Sequence, residues 1–228
     1  MTSTIARTGR RLEAGPTDLS SEARTPQNRL LLIPKAARAT FVPYLERLPG
    51  LREGENDLTR IAPGRPVAAG EPISIIGSVR DSRGRPLKVL VEIWAANRWG
   101  RYTHEKDPGD KPLDPNFLGI GRAITDERGH YAFKTVRPGV YLARADLERW
   151  RPAHVHFSIR GGSARLVTQM YFAGDPYLAG DPLVHLLGSA RDRHVVRPVA
   201  ADMAGQPAQY RFDIVVGGPN ATWIEDHI

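Results

Sequence analysis

An all-β fold is what this sequence predicts: an antiparallel β-sandwich with long loops and an irregular N-terminal arm. Three observations lead there. Short β-branched or alternating apolar runs recur between residues 73 and 216. Turn residues punctuate those runs about every ten positions. No convincing amphipathic helix separates them, which argues against an α/β fold.

The elements follow in order. ISIIGSV at 73–79 is β-branched and apolar, and DSRGRP at 81–86 is turn chemistry. LKVLVEIW at 87–94 is a second strand, with Leu87, Val89, Val91 and Ile93 on one face. Residues 95–120 form a long polar loop, a feature that is usually functional in a compact domain. Within 121–136 a strand leads to a turn at Asp126–Gly129, and then Tyr131, Phe133 and Thr135 alternate. RPG at 137–139 turns the chain into VYLARA, and AHVHFSIR (153–160), RLVTQMYF (165–172) and QYRFDIVV (209–216) complete the strands. Ahead of them, residues 1–29 are polar and carry Pro16 and Pro26. LLLIP at 30–34 is a short apolar run, and FVPYLERL at 41–48 is a helical turn or two weakened by Pro43. The chain thus divides into an arm and connection over 1–70, packing on the core or on a partner, and a β-sandwich domain over 71–228.

Composition narrows the chemistry. The 228 residues include no cysteine, which excludes disulfide scaffolds, thiolate metal sites, iron–sulfur clusters and a cysteine nucleophile. The net charge of +7 permits anionic substrates or an acidic partner. Most arginines are scattered singly apart from Arg10 and Arg11, so nucleic acid is not the expected partner. No apolar run approaches the ~20 residues of a membrane span. Residues 1–11 lack the apolar centre of a secretory signal. A cytoplasmic protein without membrane contact is the expectation.

His154-Val155-His156 is the first chemical candidate. On a strand, residues two apart share a face, so the imidazoles either converge on one metal or are two ordinary surface or core histidines. No carboxylate follows within a few residues, which disfavours a cupin, and no helical HExxH exists for a zinc peptidase. Further ligands must come from elsewhere. Tyr102, in GRYTH, and Tyr141, after Pro138-Gly139, are candidates. A phenol titrates near pH ~10 and suits a trivalent iron, which prefers hard anionic oxygen, better than a weak Lewis acid. A buried tyrosine at a sheet rim is more often core, however, and composition does not select these two.

A resemblance does. VEIWAANRWGRYTH, PLDPNFLGIGRAITDERGHYAF, TVRPGVY, WRPAHVHFSI, LVTQMYFAGDP and YRFDIVV occur in order across about residues 20–217. Together they resemble the intradiol ring-cleavage dioxygenases, and most of all the beta chain of their protocatechuate-cleaving type. The resemblance implies a mononuclear non-haem Fe(3+) in a β-sandwich, with its ligands at Tyr102, Tyr141, His154 and His156. Tyr141 and His156 would be axial, and Tyr141 would also accept a substrate proton. It implies a charge-stabilising Arg151, a Gln169 near the reacting oxygen, and a substrate pocket touched by Trp94 and Arg24. Without that resemblance Arg151 reads as a surface arginine and Gln169 as a cap for a neighbouring amide. His104 stays outside the ligand set, and Asp114 and Asn116 read as loop-fixing residues.

The expected activity is cleavage of protocatechuate (3,4-dihydroxybenzoate) by O2 to 3-carboxy-cis,cis-muconate, in aromatic catabolism. The expected assembly is a hetero-oligomer with an alpha subunit. Two departures touch the pocket and not the iron. Ala143 stands where a tryptophan is common in the family, unless Trp150 or Trp99 replaces that wall, and Asp18 falls near an expected pocket tyrosine. The ring substituent therefore stays open, with 4-sulfocatechol and hydroxyquinol as alternatives. A non-catalytic β-sandwich binding module and a zinc hydrolase are the competing readings.

Overall fold

A computed structural model describes residues 50–105, 107, 109–144, 147–161, 164–199, 205–223 and 225. Arg24, Asp18 and the segments 30–34 and 41–48 lie outside the described residues. The strands are β1 (Pro72–Asp81), β2 (Leu90–Ala95), β3 (Ile120–Ile124), β4 (His130–Val136), β5 (Tyr141–Arg144), β6 (Arg149–Arg151), β7 (His154–Gly161), β8 (Ala164–Phe172), β9 (Val195–Val196), β10 (Pro198–Val199), β11 (Ala208–Arg211) and β12 (Ile214–Val216). Two short α-helices, α1 (Pro182–Leu186) and α2 (Arg191–His194), with a 3-10 turn (Gly188–Ala190) between them, fall between β8 and β9. The sequence had pointed to no element there. Among the described residues, no helix is long and apolar enough to cross a membrane.

Two five-stranded sheets enclose one core, and the sandwich expected from the sequence is what forms. The first sheet is built on β1. It pairs antiparallel with β4 on one side and parallel with β11 and then β12 on the other. The second runs β3-β2-β7-β8-β9, antiparallel except for β8 with β9. The sheets are therefore mixed. The long β1 accepts the returning C-terminal strands in parallel, a pairing that strand patterns alone do not distinguish. A separate hairpin, β5-β6, completes the set.

Side-chain hydrogen bonds explain where strands begin and break. The run 87–94 enters its sheet only at Leu90. Before that, the Thr125 hydroxyl accepts from Val89 N and donates to Leu87 O, each at 2.8 Å, beside a single main-chain bond from Thr125 N to Val89 O at 3.0 Å. The run 209–216 is two strands rather than one. At the break, Asp213 Oδ1 accepts from the amide and the hydroxyl of Ser78, each at 2.9 Å, while Phe212 enters the core. In the loop after β2, Asp114 accepts from Ala69 N and Asn116 N, the fixing role its sequence context suggests.

Strand alternation then positions the site. From the second sheet, Val91 and Ile93 of β2, Val155, Phe157 and Ile159 of β7, and Leu166 and Met170 of β8 point into the sandwich core. The alternate residues (Trp94, His154, His156, Gln169 and Tyr171) necessarily stand on the opposite face. Register places Trp94 beside His156, His156 beside Gln169, and His154 beside Tyr171.

Candidate metal centre

Two imidazoles and a phenol meet on that outer face. His154 Nε2 and His156 Nε2 are 3.2 Å apart, and Tyr102 Oη lies 3.2 Å from each. The three residues are buried, at 2%, 3% and 6% exposure. A point equidistant from atoms so spaced sits about 2 Å from each, the length of a metal bond to nitrogen or oxygen. His154 Nδ1 contacts Pro152 O at 2.7 Å, so its proton belongs on Nδ1 and its Nε2 lone pair faces inward. Among the described residues no three His, Cys, Asp or Glu side chains converge on a point. The phenol is what completes this donor set. Anionic oxygen with two imidazoles suits a trivalent iron better than a softer ion.

Tyr102 reaches the centre because its loop is tightly built. Asn97 Oδ1 accepts from Trp99 N (2.9 Å) and Arg101 N (3.1 Å), and Asp107 Oδ2 accepts from Tyr102 N at 2.8 Å. Gly100 and Gly139, each two residues before a tyrosine, let this loop press on β5. A Cβ on Gly100 would lie 2.2 Å from Val140 O, and one on Gly139 would lie 2.3 Å from Arg98 O. The close approach brings the Tyr141 ring edge-on to Tyr102, with centroids 5.5 Å apart, and 5.7 Å from His154. Tyr141 is half-buried and so the most accessible of the four. Trp94 stacks flat on His156 at 4.8 Å, with an interplanar angle of 2°.

Arg151 sits behind the centre, opposite Tyr141 in the β5-β6 register. Its Nε donates to Asp181 Oδ2 at 2.5 Å and its Nη2 to Gln169 Oε1 at 2.7 Å. Asp181 in turn caps α1, accepting from Leu183 N and Val184 N. Burial alone would push the guanidinium down. The surrounding Tyr141, Asp181, Tyr171 and Glu225 more than reverse this and hold it well above its ordinary value. Burial pushes the Tyr171 hydroxyl far up, so it stays protonated and donates to Gln169 Oε1 at 2.9 Å.

Sequence reasoning missed Asp181, Tyr171 and Glu225. The Glu225 carboxylate accepts from Gln169 Nε2 at 2.6 Å and lies 3.7 Å from His156 Nδ1. Burial raises its pKa, but His156, Gln169 and Arg151 outweigh that and leave it below the usual range. Of the residues proposed from sequence, the structure gathers Tyr102, Tyr141, His154, His156, Trp94, Arg151 and Gln169 in one place, and Arg24 lies outside the described residues. Trp150 stacks on Tyr177 at 5.4 Å, and Trp99 lies under Arg98. A cavity of about 470 Å3 borders Trp94 and Tyr102 but not Tyr141, Arg151 or Gln169.

The family model described as a dioxygenase matches residues 44–218, and the chain belongs to the intradiol dioxygenase family. Members of that family use non-haem iron. The chain is 42% identical over 213 residues to the protocatechuate 3,4-dioxygenase beta chain of Burkholderia cepacia, covering 90% of this chain and 89% of that one. It is 28% identical over 200 residues to the protocatechuate 3,4-dioxygenase alpha chain of Pseudomonas putida, covering 84% and 96%. Among solved structures, catechol 1,2-dioxygenase from Pseudomonas arvilla C-1 superposes with a TM-score of 0.52 at 28% identity, covering 73% of this chain and 58% of that one.

Proposed function

We propose that this chain is the beta subunit of an enzyme that cleaves protocatechuate between its hydroxyl-bearing carbons, at a mononuclear ferric iron held by Tyr102, Tyr141, His154 and His156. The carrying observation is the set of three 3.2 Å separations among Tyr102 Oη and the two Nε2 atoms, with Tyr141 alongside. Ferric iron held there would supply Lewis acidity toward the substrate's ring. The chain's own groups do the rest. Tyr141 Oη, on the least buried of the four side chains, takes one proton of the diol. Arg151, whose charge is locked by Asp181, faces Tyr141 and stabilises negative charge as it develops. Gln169 holds the Arg151 guanidinium in place, and the Trp94 ring fixes the plane of His156.

The substrate reading is supported by the 42% identical beta chain of the Burkholderia enzyme. An alpha-type partner is supported by the paired names of the relatives, and by apolar surface beside the site. Leu142 and Leu147, on the β5-β6 hairpin that carries Tyr141, are 42% and 55% exposed. A cytoplasmic setting belongs to the same proposal, supported by the cysteine-free composition.

The test is steady-state oxygen uptake, with and without an alpha-type chain, on protocatechuate, catechol, hydroxyquinol and 4-sulfocatechol. Protocatechuate should be preferred, and both atoms of labelled O2 should appear in its muconate. A colourless, iron-free protein with no uptake on any diol would contradict the reading. Full activity from a homodimer would remove the alpha partner from it.

A further inference from the structure

Glu225 is 2% exposed, yet only one of its oxygens is hydrogen-bonded. Oε1 accepts from Gln169 Nε2 at 2.6 Å. Oε2 has no hydrogen-bond partner among the described residues and lies 3.7 Å from His156 Nδ1. Burying a carboxylate oxygen in this way is costly, so the group it faces has to account for it. The separation is longer than a hydrogen bond, and the contact is electrostatic.

We propose that Glu225 is a positioning residue for the metal centre: it orients His156 through Nδ1 and, through Gln169, couples that imidazole to Arg151. The inference rests on reading Tyr102, Tyr141, His154 and His156 as an iron site. Metal-binding imidazoles are held through their second nitrogen, and a carboxylate there makes the ring a stronger donor. His154 has a neutral holder, Pro152 O at 2.7 Å. His156 has an anionic one, so the two imidazoles are not equivalent. The contacts form one buried line: Asp181, Arg151, Gln169, Glu225, His156.

The backbone delivers Glu225 by design rather than by chance contact. Thr222 N donates to Val215 O and Val215 N to Thr222 Oγ1, both at 2.9 Å. Trp223 N donates to His194 Nε2 at 3.3 Å, and Glu225 N to Val167 O at 2.8 Å. Four bonds therefore seat Thr222, Trp223 and Glu225 against β12, α2 and β8.

Three variants of the iron-loaded protein test this: Glu225→Gln, Glu225→Asp and Thr222→Val. Removing the charge in Glu225→Gln should speed iron loss to a chelator about tenfold to a hundredfold and shift the tyrosinate-to-iron absorption band. Glu225→Asp, shorter but still anionic, should fall between Gln and wild type. Thr222→Val weakens the seat without touching the carboxylate, so it should lower the melting temperature and leave the band in place. The inference fails if Glu225→Gln matches wild type in band and iron loss, if Asp is no better than Gln, or if Thr222→Val moves the band as far. Wild-type protein with neither iron nor colour would instead overturn the iron site itself, and this inference with it.

Discussion

The two faces of β7 carry the two halves of this protein. Val155, Phe157 and Ile159 point inward and are fully buried among apolar neighbours from both sheets. His154 and His156, interleaved with them, point outward and are almost as buried, but against Tyr102, Trp94 and Tyr171. The inner face tolerates any well-packed hydrophobe of the right volume. The outer face depends on individual atoms. Burial is similar on both sides, so it does not tell packing from chemistry. The identity of the neighbouring groups does.

The sharpest way to break this contrast is a pair of variants on the one strand. His154→Ala should abolish iron binding and turnover while the fold survives. Phe157→Ala should cost about 3–5 kcal/mol of stability, read by denaturant unfolding, yet keep the iron colour in the folded fraction. Iron retained in full by His154→Ala would contradict the assignment of the outer face.

The next largest effect concerns Arg151. Lysine has no planar fork to reach both Asp181 and Gln169. Arg151→Lys should therefore lower kcat about a hundredfold with iron content unchanged. A loss confined to KM would point to substrate binding instead.

A smaller effect separates the phenols. Tyr171→Phe removes one hydrogen bond to Gln169 and should cost about 1 kcal/mol, with the absorption band unmoved. Tyr102→Phe should change the band itself.

The smallest effect is a pH dependence at the seat of the C-terminal residues. His194 is buried, its Nδ1 is 2.8 Å from Gln169 O, and its Nε2 accepts from Trp223 N. That pattern needs neutral imidazole. Burial is the main cause of its lowered pKa, with Arg193 adding to it and the Gln169 carbonyl opposing. The folded value lies below the unfolded one. Its contribution to stability is therefore complete above about pH 6.5 and is lost as pH falls through the lower folded value. Melting temperature should drop between pH 7 and 5 in wild type, and drop less in His194→Gln.

How much of this was legible in sequence follows the same division. Alternation marked the inner face of β7 and β8 directly, because packing writes a period of two into the residues. It missed the late start of β2 and the break at Phe212–Asp213, where single side chains bond to the main chain. On the outer face, HxH showed only that two imidazoles share a side. Tyr102 and Tyr141 emerged through resemblance, since each reaches the centre by a loop contact that glycine permits and no period encodes. Asp181 and Glu225 had no signal. Their partners lie 30 and 56 residues away along the chain, and neither sits in a recurring spacing.

The central claim is that one iron sits among four side chains of the outer face. Anomalous scattering at the iron edge from crystals of the purified protein tests it most directly. A single strong peak within bonding distance of Tyr102 Oη, Tyr141 Oη, His154 Nε2 and His156 Nε2 is the predicted result. A map with no peak among those atoms, or with the peak elsewhere, would contradict it.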